Sequence, residues 1–193
     1  MDKTQIGPQT LVFPTPVVLV GANVDDKPNF MVAAWCGFVN SDPPTASVSI
    51  QQPRHTYKGI TRNQTFSINV PSADLAGQTD YCGTISGAKA DKVKLCGFDV
   101  FYGKLENAPL IEQCPVNLEC RVIHMLNLGS HFMFIGRIEE IYVSKDCLTD
   151  GKLDFNKSKP FVYAAAPARQ YHALGQNLGA RGALGKAFET KIR

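Results

Sequence analysis

The chain has 193 residues, 44% of them apolar and 19% charged, and a formal net charge of +3. That length and apolar fraction supply one sizeable core and exclude wholesale disorder, while so small a charge, spread along the chain, argues against nucleic acid as a partner. The opening MDKTQIGPQT holds no uninterrupted apolar run and no later stretch approaches the roughly 20 apolar residues of a membrane span, so the expectation is one cytoplasmic domain, residues 1–193, with no membrane contact.

In chain order, PVVLVGANVDDKPNFMVAAW reads as two β-type runs, Val17 to Val24 and Phe30 to Trp35, joined by the turn-forming Asp-Asp-Lys-Pro-Asn. After a loop, FVNSDPP, the segment TASVSIQ alternates apolar Ala46, Val48 and Ile50 with Ser47, Ser49 and Gln51, the period of a half-buried strand. QQPRHTYKGITRNQ predicts a short helix with Thr56 as a candidate N-cap and Asn63 near its end. TFSINV is another strand, and residues 72–95 turn helical and loop-like, an excursion packed over the strands. FDVFYGKL, PVNLECRVIHMLNL and HFMFIGRIEEIYVS predict three more strands, the last two pairing as a long hairpin through Gly129-Ser130. An Asp150-Gly151 turn, one short strand and a Gly-rich extension over residues 170–193 complete the chain. About seven strands with no βαβ alternation predict a mainly β protein, a Greek-key barrel with short added helices.

The six cysteines make no C-x-x-C and are expected to be reduced, mostly core residues. With four scattered histidines they suggest no metal site. No GxGxxG or Walker loop is present, so a nucleotide must be held in another way.

Four places could carry chemistry. Arg54-His55-Thr56 sits where a strand hands over to a helix, so helix amides, a hydroxyl and a guanidinium can converge on an anion; the plainer alternative is that Thr56 only caps the helix. Ser86-Gly87-Ala88-Lys89-Ala90-Asp91-Lys92 adds a flexible glycine and two lysines, or is simply a surface loop. The run Asn29 to Trp35 ends in Ala-Ala-Trp, whose small side chains leave backbone accessible to a flat ring, although the same residues suit ordinary barrel packing. His131, just after a turn, should project at a barrel mouth as a proton donor or hydride-donor contact. His124 reads as a core histidine and His172 as a tail residue.

In order, KPNFMVAAWCG, SDPPTASVSIQQPRHTYKGI, TFSINVP, SGAKADK, APLIEQCPVNLEC, GSHFMFIGRIEEI and KPFVY resemble the flavin reductase-like, FMN-binding split-barrel family, flavoredoxins most closely, over roughly residues 10 to 175. The resemblance implies a Greek-key split β-barrel, a homodimer, and FMN near the subunit interface. It places Asn29, Met31, Ala33, Ala34 and Trp35 along the isoalloxazine ring and Ser47, Val48, Ser49 and Ile50 beside the ring or ribityl chain. Arg54, His55 and Thr56 would meet the phosphate, with Ser86, Lys89 and Lys92 arriving from the excursion. Two positions depart from the pattern. Ser130 stands where many relatives carry Asp before the histidine, and Ala164, after Tyr163, stands where an aromatic can border the flavin. The implied activity is an oxidoreductase taking electrons from NAD(P)H or a protein donor and passing them to an unnamed acceptor. The alternative is a flavoredoxin-type carrier with no efficient nicotinamide reaction.

Overall fold

The structure, a computed structural model, describes residues 2–10 and 14–192. Val18–Val24 (β1) and Lys27–Ala33 (β2) form a hairpin around Asp25-Asp26, both at positive φ, 49° and 61°. A two-residue turn of this hand needs left-handed backbone at both central residues, which aspartate tolerates. The longer turn read from the sequence is thereby corrected: Lys27, Pro28 and Asn29 belong to the strand. The strand also stops at Ala33, short of Trp35. FVNSDPP is not a loop but contributes Cys36–Ser41 (β3), which pairs with Pro44–Ile50 (β4). As an edge strand that is exposed from Gly37 onward, β3 has no apolar face to betray it.

Thr65–Val70 (β5), Val116–Asn127 (β6) and Phe132–Val143 (β7) complete an antiparallel sheet in the order β2-β1-β5-β6-β7-β4-β3. Its two edges, β2 and β3, are consecutive in the chain. Only Ala34-Trp35 separates them, and three Cα steps of about 3.8 Å cannot span an open sheet, so the sheet curls on itself into a Greek-key split barrel. Val18, Val20, Ala46, Val48, Phe66 and Phe134 fill its interior. At Gly136 an added Cβ would lie 2.6 Å from the Phe66 ring, so glycine is needed where β7 crosses the core.

Helix α1, His55–Asn63, follows β4 and packs Ile60 into the barrel. Helices α2, Ala76–Thr84, and α3, Lys92–Cys96, belong to the excursion and cover a second cluster of Leu19, Phe30, Cys82, Phe98, Ile111 and Cys114. That explains why β1 is buried at every residue: Val18 and Val20 face the barrel, Leu19 the outer cluster. FDVFYGKL is largely not strand, since only Val100–Phe101 pairs, with Leu110–Ile111. The cause lies in Glu119, fully buried, whose carboxylate accepts from the backbone N–H of Gly103 (3.0 Å), Lys104 (2.9 Å) and Leu105 (3.1 Å) and so draws that chain into a loop.

The β6–β7 hairpin forms as expected, but its far end leaves the barrel. Ile123, Met125, Leu126 and Leu128 are exposed there, and so is His124, which is therefore not a core histidine. Asp150-Gly151 makes its turn, with φ of 52° and 72°. Phe155–Ser158 (α4) precedes Phe161–Ala164 (β8), which pairs with Gln170–Ala173 (β9) and with Thr15–Pro16. The Gly-rich extension, without apolar period in its sequence, nonetheless holds a helix, Ala183–Ile192 (α5). All six cysteines are free. Among the described residues no helix is long and apolar enough to cross a membrane, and no cluster of ligating side chains could hold a metal.

Candidate functional site

The corner that closes the barrel also opens a groove. Because Ala34 and Trp35 swing from one sheet edge to the other, their backbone is left beside the end of β4, where Ser49 N–H donates to Trp35 C=O at 2.9 Å. A cavity of about 410 Å³ lies over this corner, floored by Met31, Ala33, Ala34 and Trp35 and bordered by Ser49 and Ile50. It shares Met31, Gln51 and Arg54 with a second cavity of about 260 Å³, which is lined by His55, Thr56, Ser86 and Lys92. That one shares His55, Gly87 and Lys92 with a third of about 710 Å³, reached by Asn29 and Lys89. The three share lining residues as one continuous groove: at the first end the Met31, Ala33, Ala34 and Trp35 floor meets Arg54, Arg169, His131 and Asp80, and the other end carries Lys27, Lys89 and Lys92 beside Asp25 and Asp91.

The middle compartment gathers positive and donor groups. Helix α1 begins after Arg54 with no side-chain cap and no acidic residue in its first turn; Arg54 N–H donates to Gln51 C=O at 3.0 Å and Tyr57 N–H to Arg54 C=O at 3.1 Å, which leaves the N–H groups of His55 and Thr56 and the positive dipole end available. Thr56 is thus not the cap. It is 1% exposed, and its Oγ1 accepts from Asn29 Nδ2 at 2.6 Å, which ties the helix start to β2. Gly87 allows this closeness: a Cβ there would strike Asn29 Oδ1 and come within 3.0 Å of the His55 ring. His55 Nδ1 is buried without a hydrogen-bond partner. Lys92 is only 4% exposed, donates from Nζ to Cys82 C=O at 3.1 Å, and has no ion pair with a carboxylate among the described residues. Burial pushes its pKa down, and Arg54 adds to that. A desolvated ammonium with donors to spare, beside an orphaned imidazole nitrogen, is a strained arrangement that a bound anion relieves. Arg54, exposed, is steadied by a 3.1 Å bond to Gly83 C=O.

At the first end Trp35, 41% exposed, lies against His131 with ring centroids 4.4 Å apart, which places the imidazole at the groove mouth. Ser130 Oγ lies 2.9 Å from His131 Nδ1, so the hydroxyl takes up the orienting position that a carboxylate would hold. It adds no charge. Burial, then Arg54, lowers the His131 pKa, and the ring is neutral at neutral pH. Opposite stand Tyr163 and Tyr171, 5.4 Å between centroids, with Tyr171 OH donating to Asp80 at 3.1 Å. Burial and then Asp80 push the Tyr171 hydroxyl up to about 12, so it remains a donor.

Three expected residues do not line the groove. Ser47 and Val48 lie on the buried stretch of β4, Val48 within the barrel core, because the strand reaches the groove only at its end, Ser49 and Ile50. Ala164 is also absent from the lining, while Tyr163 is present. Gln51, Gly83, Thr84, Arg169 and Tyr171 line it without having been singled out by the sequence. Gly83 and Thr84 close an α-helix with no amphipathic pattern, and Arg169 follows a strand pairing that only the tertiary fold reveals.

Residues 10–171 match the flavin reductase like domain model. The chain belongs to that family. A flavoredoxin of Methanosarcina acetivorans is 38% identical and superposes with a TM-score of 0.91, covering 97% of this chain and 100% of that one. The flavoredoxin of Desulfovibrio vulgaris (Miyazaki F) is 36% identical at a TM-score of 0.87, covering 95% and 100%. An FMN reductase (NADH) of Bradyrhizobium diazoefficiens is 25% identical over 142 residues, 74% of this chain and 75% of its own length. Within the flavin reductase-like family this chain therefore matches the flavoredoxins along almost its whole length, and the nicotinamide-dependent reductase less closely.

Proposed function

We propose that the groove binds FMN, with the isoalloxazine over the Ala33-Ala34-Trp35 corner and the phosphate among Arg54, His55, Thr56, Ser86 and Lys92, and that the protein is an FMN-dependent oxidoreductase. The observation that carries this reading is the buried Lys92 ammonium with no carboxylate partner beside the unpartnered His55 Nδ1. A phosphate monoester would give His55 Nδ1 a partner and Lys92, already bonded to Cys82 C=O, a counter-charge. Lys89 guards the outer end, and Asn29 holds Thr56 in place.

Bound FMN supplies the hydride and electron chemistry, and the protein's part is position, solvent access and charge. Backbone groups of Ala34 and Trp35 meet the polar edge of the ring. Met31 and Ile50 exclude water from beneath it. His131, neutral and steadied by Ser130, stands at the open face, where a nicotinamide donor would approach. Reducing equivalents enter from NAD(P)H or a redox protein and leave to an acceptor at the same mouth. The exposed apolar end of the β6–β7 hairpin runs directly into Ser130-His131. A second subunit covering it would complete the mouth, so a homodimer is part of the proposal.

A second reading is favoured by one feature. Trp35 packs on His131, and Ser130 gives that histidine no charge, so a flavoredoxin-type carrier reduced by protein partners fits the mouth as it stands. The visible spectrum of purified protein tests FMN binding: a colourless protein that takes up no FMN overturns it. Anaerobic rapid mixing with NADH and NADPH separates the two readings, since bleaching no faster than that of free FMN leaves only the carrier. Equilibrium sedimentation tests the dimer, and a flavin-loaded monomer contradicts it.

A further inference from the structure

Two thiols lie beside the groove without a part in it. Cys82, on α2, is 1% exposed, lines the anion compartment and sits in the apolar cluster with Leu19 and Phe30. Cys96, the last residue of α3, is half-buried and faces the other way, into a surface cleft of about 370 Å³ bounded by Gly77, Gln78, Tyr81 and Leu95. The two sulfurs are 3.9 Å apart. The pair thus bridges the flavin side of the excursion and an outside opening.

Lys92 and Cys96 stand four residues apart on α3 and share one face of it. Both reach toward the same residue, Lys92 Nζ to the Cys82 carbonyl and Cys96 Sγ to the Cys82 sulfur. A crosslink between the sulfurs would therefore bear on the helix face that also carries Lys92. Helix α3 has only five residues and ends at Gly97 with φ of 65°, and its Val93 and Cys96 pack against the same outer cluster that holds Cys82.

We propose that Cys82 and Cys96 are an oxidation site, in which a peroxide converts the pair to a disulfide that draws Lys92 out of the groove and weakens flavin binding. The consequence for flavin rests on the phosphate reading above; the thiol chemistry does not. Cys96 Sγ, reached through the outer cleft, attacks the peroxide O–O bond and becomes a sulfenic acid, releasing water when the oxidant is hydrogen peroxide. Cys82 Sγ then attacks the sulfenic sulfur. The S–S bond forms, the S–O bond breaks, and the hydroxide leaves with the Cys82 proton as a second water. The sulfur pair loses two electrons and the peroxide gains them. Within the pair the order follows from its surroundings: burial raises both thiols, Cys82 to about 12, while the hydrogen bond from Cys82 and the Lys92 charge oppose that rise at Cys96. Closing the gap from 3.9 Å to the bonded length of about 2.05 Å rotates the face of α3 that carries Lys92.

The test treats the full protein with hydrogen peroxide, maps peptides under non-reducing conditions, and titrates FMN and riboflavin before and after. The expected result is a Cys82–Cys96 crosslinked peptide, FMN binding weakened about tenfold, as loss of one charged phosphate contact implies, riboflavin binding little changed, and full recovery with dithiothreitol. Cys96→Ser should form no crosslink and keep its FMN affinity through the same treatment. Free thiols or an over-oxidised Cys96 without crosslink after peroxide overturn the proposal, as does a crosslinked protein that binds FMN as tightly as the reduced one. Failure of the flavin reading shows differently, as reduced protein that binds no FMN at all, because the crosslink is scored without flavin.

Discussion

Lys92→Met keeps the length and most of the volume of the side chain and removes its charge, so it isolates the role of a buried ammonium in the anion compartment. Lys92 Nζ spends one N–H on Cys82 C=O at 3.1 Å and holds the others toward the groove. Losing a charge-assisted bond to a phosphate oxygen costs about 1.5–3 kcal/mol, which is roughly a 10- to 100-fold rise in the dissociation constant for FMN. Riboflavin, which has no phosphate, should shift by less than about threefold. The ligand-free protein should respond in the opposite sense. Removing a desolvated charge with a single partner relieves more than the orphaned Cys82 carbonyl costs, a net gain on the order of 1 kcal/mol. Lys92 is a base whose pKa is lowered on folding, so the unfolded chain binds the extra proton and native stability rises with pH between the folded and unfolded values. Lys92→Met removes that slope. Flavin-fluorescence titrations with both ligands and urea unfolding of the ligand-free protein at several alkaline pH values measure all three effects. Equal weakening of FMN and riboflavin, or unchanged FMN affinity, refutes the placement of the phosphate.

Ser130→Asp should set a carboxylate beside His131 Nδ1, now 2.9 Å from the serine hydroxyl, and raise the imidazole pKa against the present downward pull of burial and Arg54. NMR titration of the ring reads this directly, and faster bleaching by NADH should accompany it if Ser130 limits nicotinamide use. Glu119→Gln places an amide NH₂ against backbone donors and should destabilise the fold by roughly 2–3 kcal/mol with little change in FMN affinity, because loop 103–105 and not the groove depends on it. An unchanged urea midpoint would count against that account. His55 and His131 both have pKa values lowered on folding, His55 by burial and then Lys58. The native chain therefore binds fewer protons than the unfolded one below the ordinary value of 6.5, and ligand-free stability should fall on acidification through that range. A double His55→Asn, His131→Asn variant with an undiminished acid slope would place the loss elsewhere.

The junction to which the proposal assigns the phosphate could be picked out in the sequence because it is local. Arg54, His55 and Thr56 are adjacent, and a strand-to-helix junction brings their groups together whatever the rest of the chain does. The role of Thr56 could not be, since its partner Asn29 lies 27 residues away and only the barrel brings them to 2.6 Å. The ring end behaves in the same way. Ala33, Ala34 and Trp35 stood out as small residues beside an aromatic, but what makes them a floor is that β2 and β3 become opposite edges of one sheet, and β3 offered no alternation to read. Ser47 and Val48 lie away from the groove because of their place along β4: a resemblance names a whole segment, whereas a strand that crosses the barrel brings only its tip, Ser49 and Ile50, to the groove. The exposed run Ile123 to Leu128 looked like core by composition and is not, because β6 outruns the sheet that would cover it. That excess of apolar surface sits next to His131, and in the proposed dimer a partner subunit laid over it would dry the face that carries Ser130 and Trp35. Ionic-strength-insensitive dimerisation and a flavin more protected from solvent in the dimer than in an Ile123→Asp, Met125→Asp variant are the joint consequence.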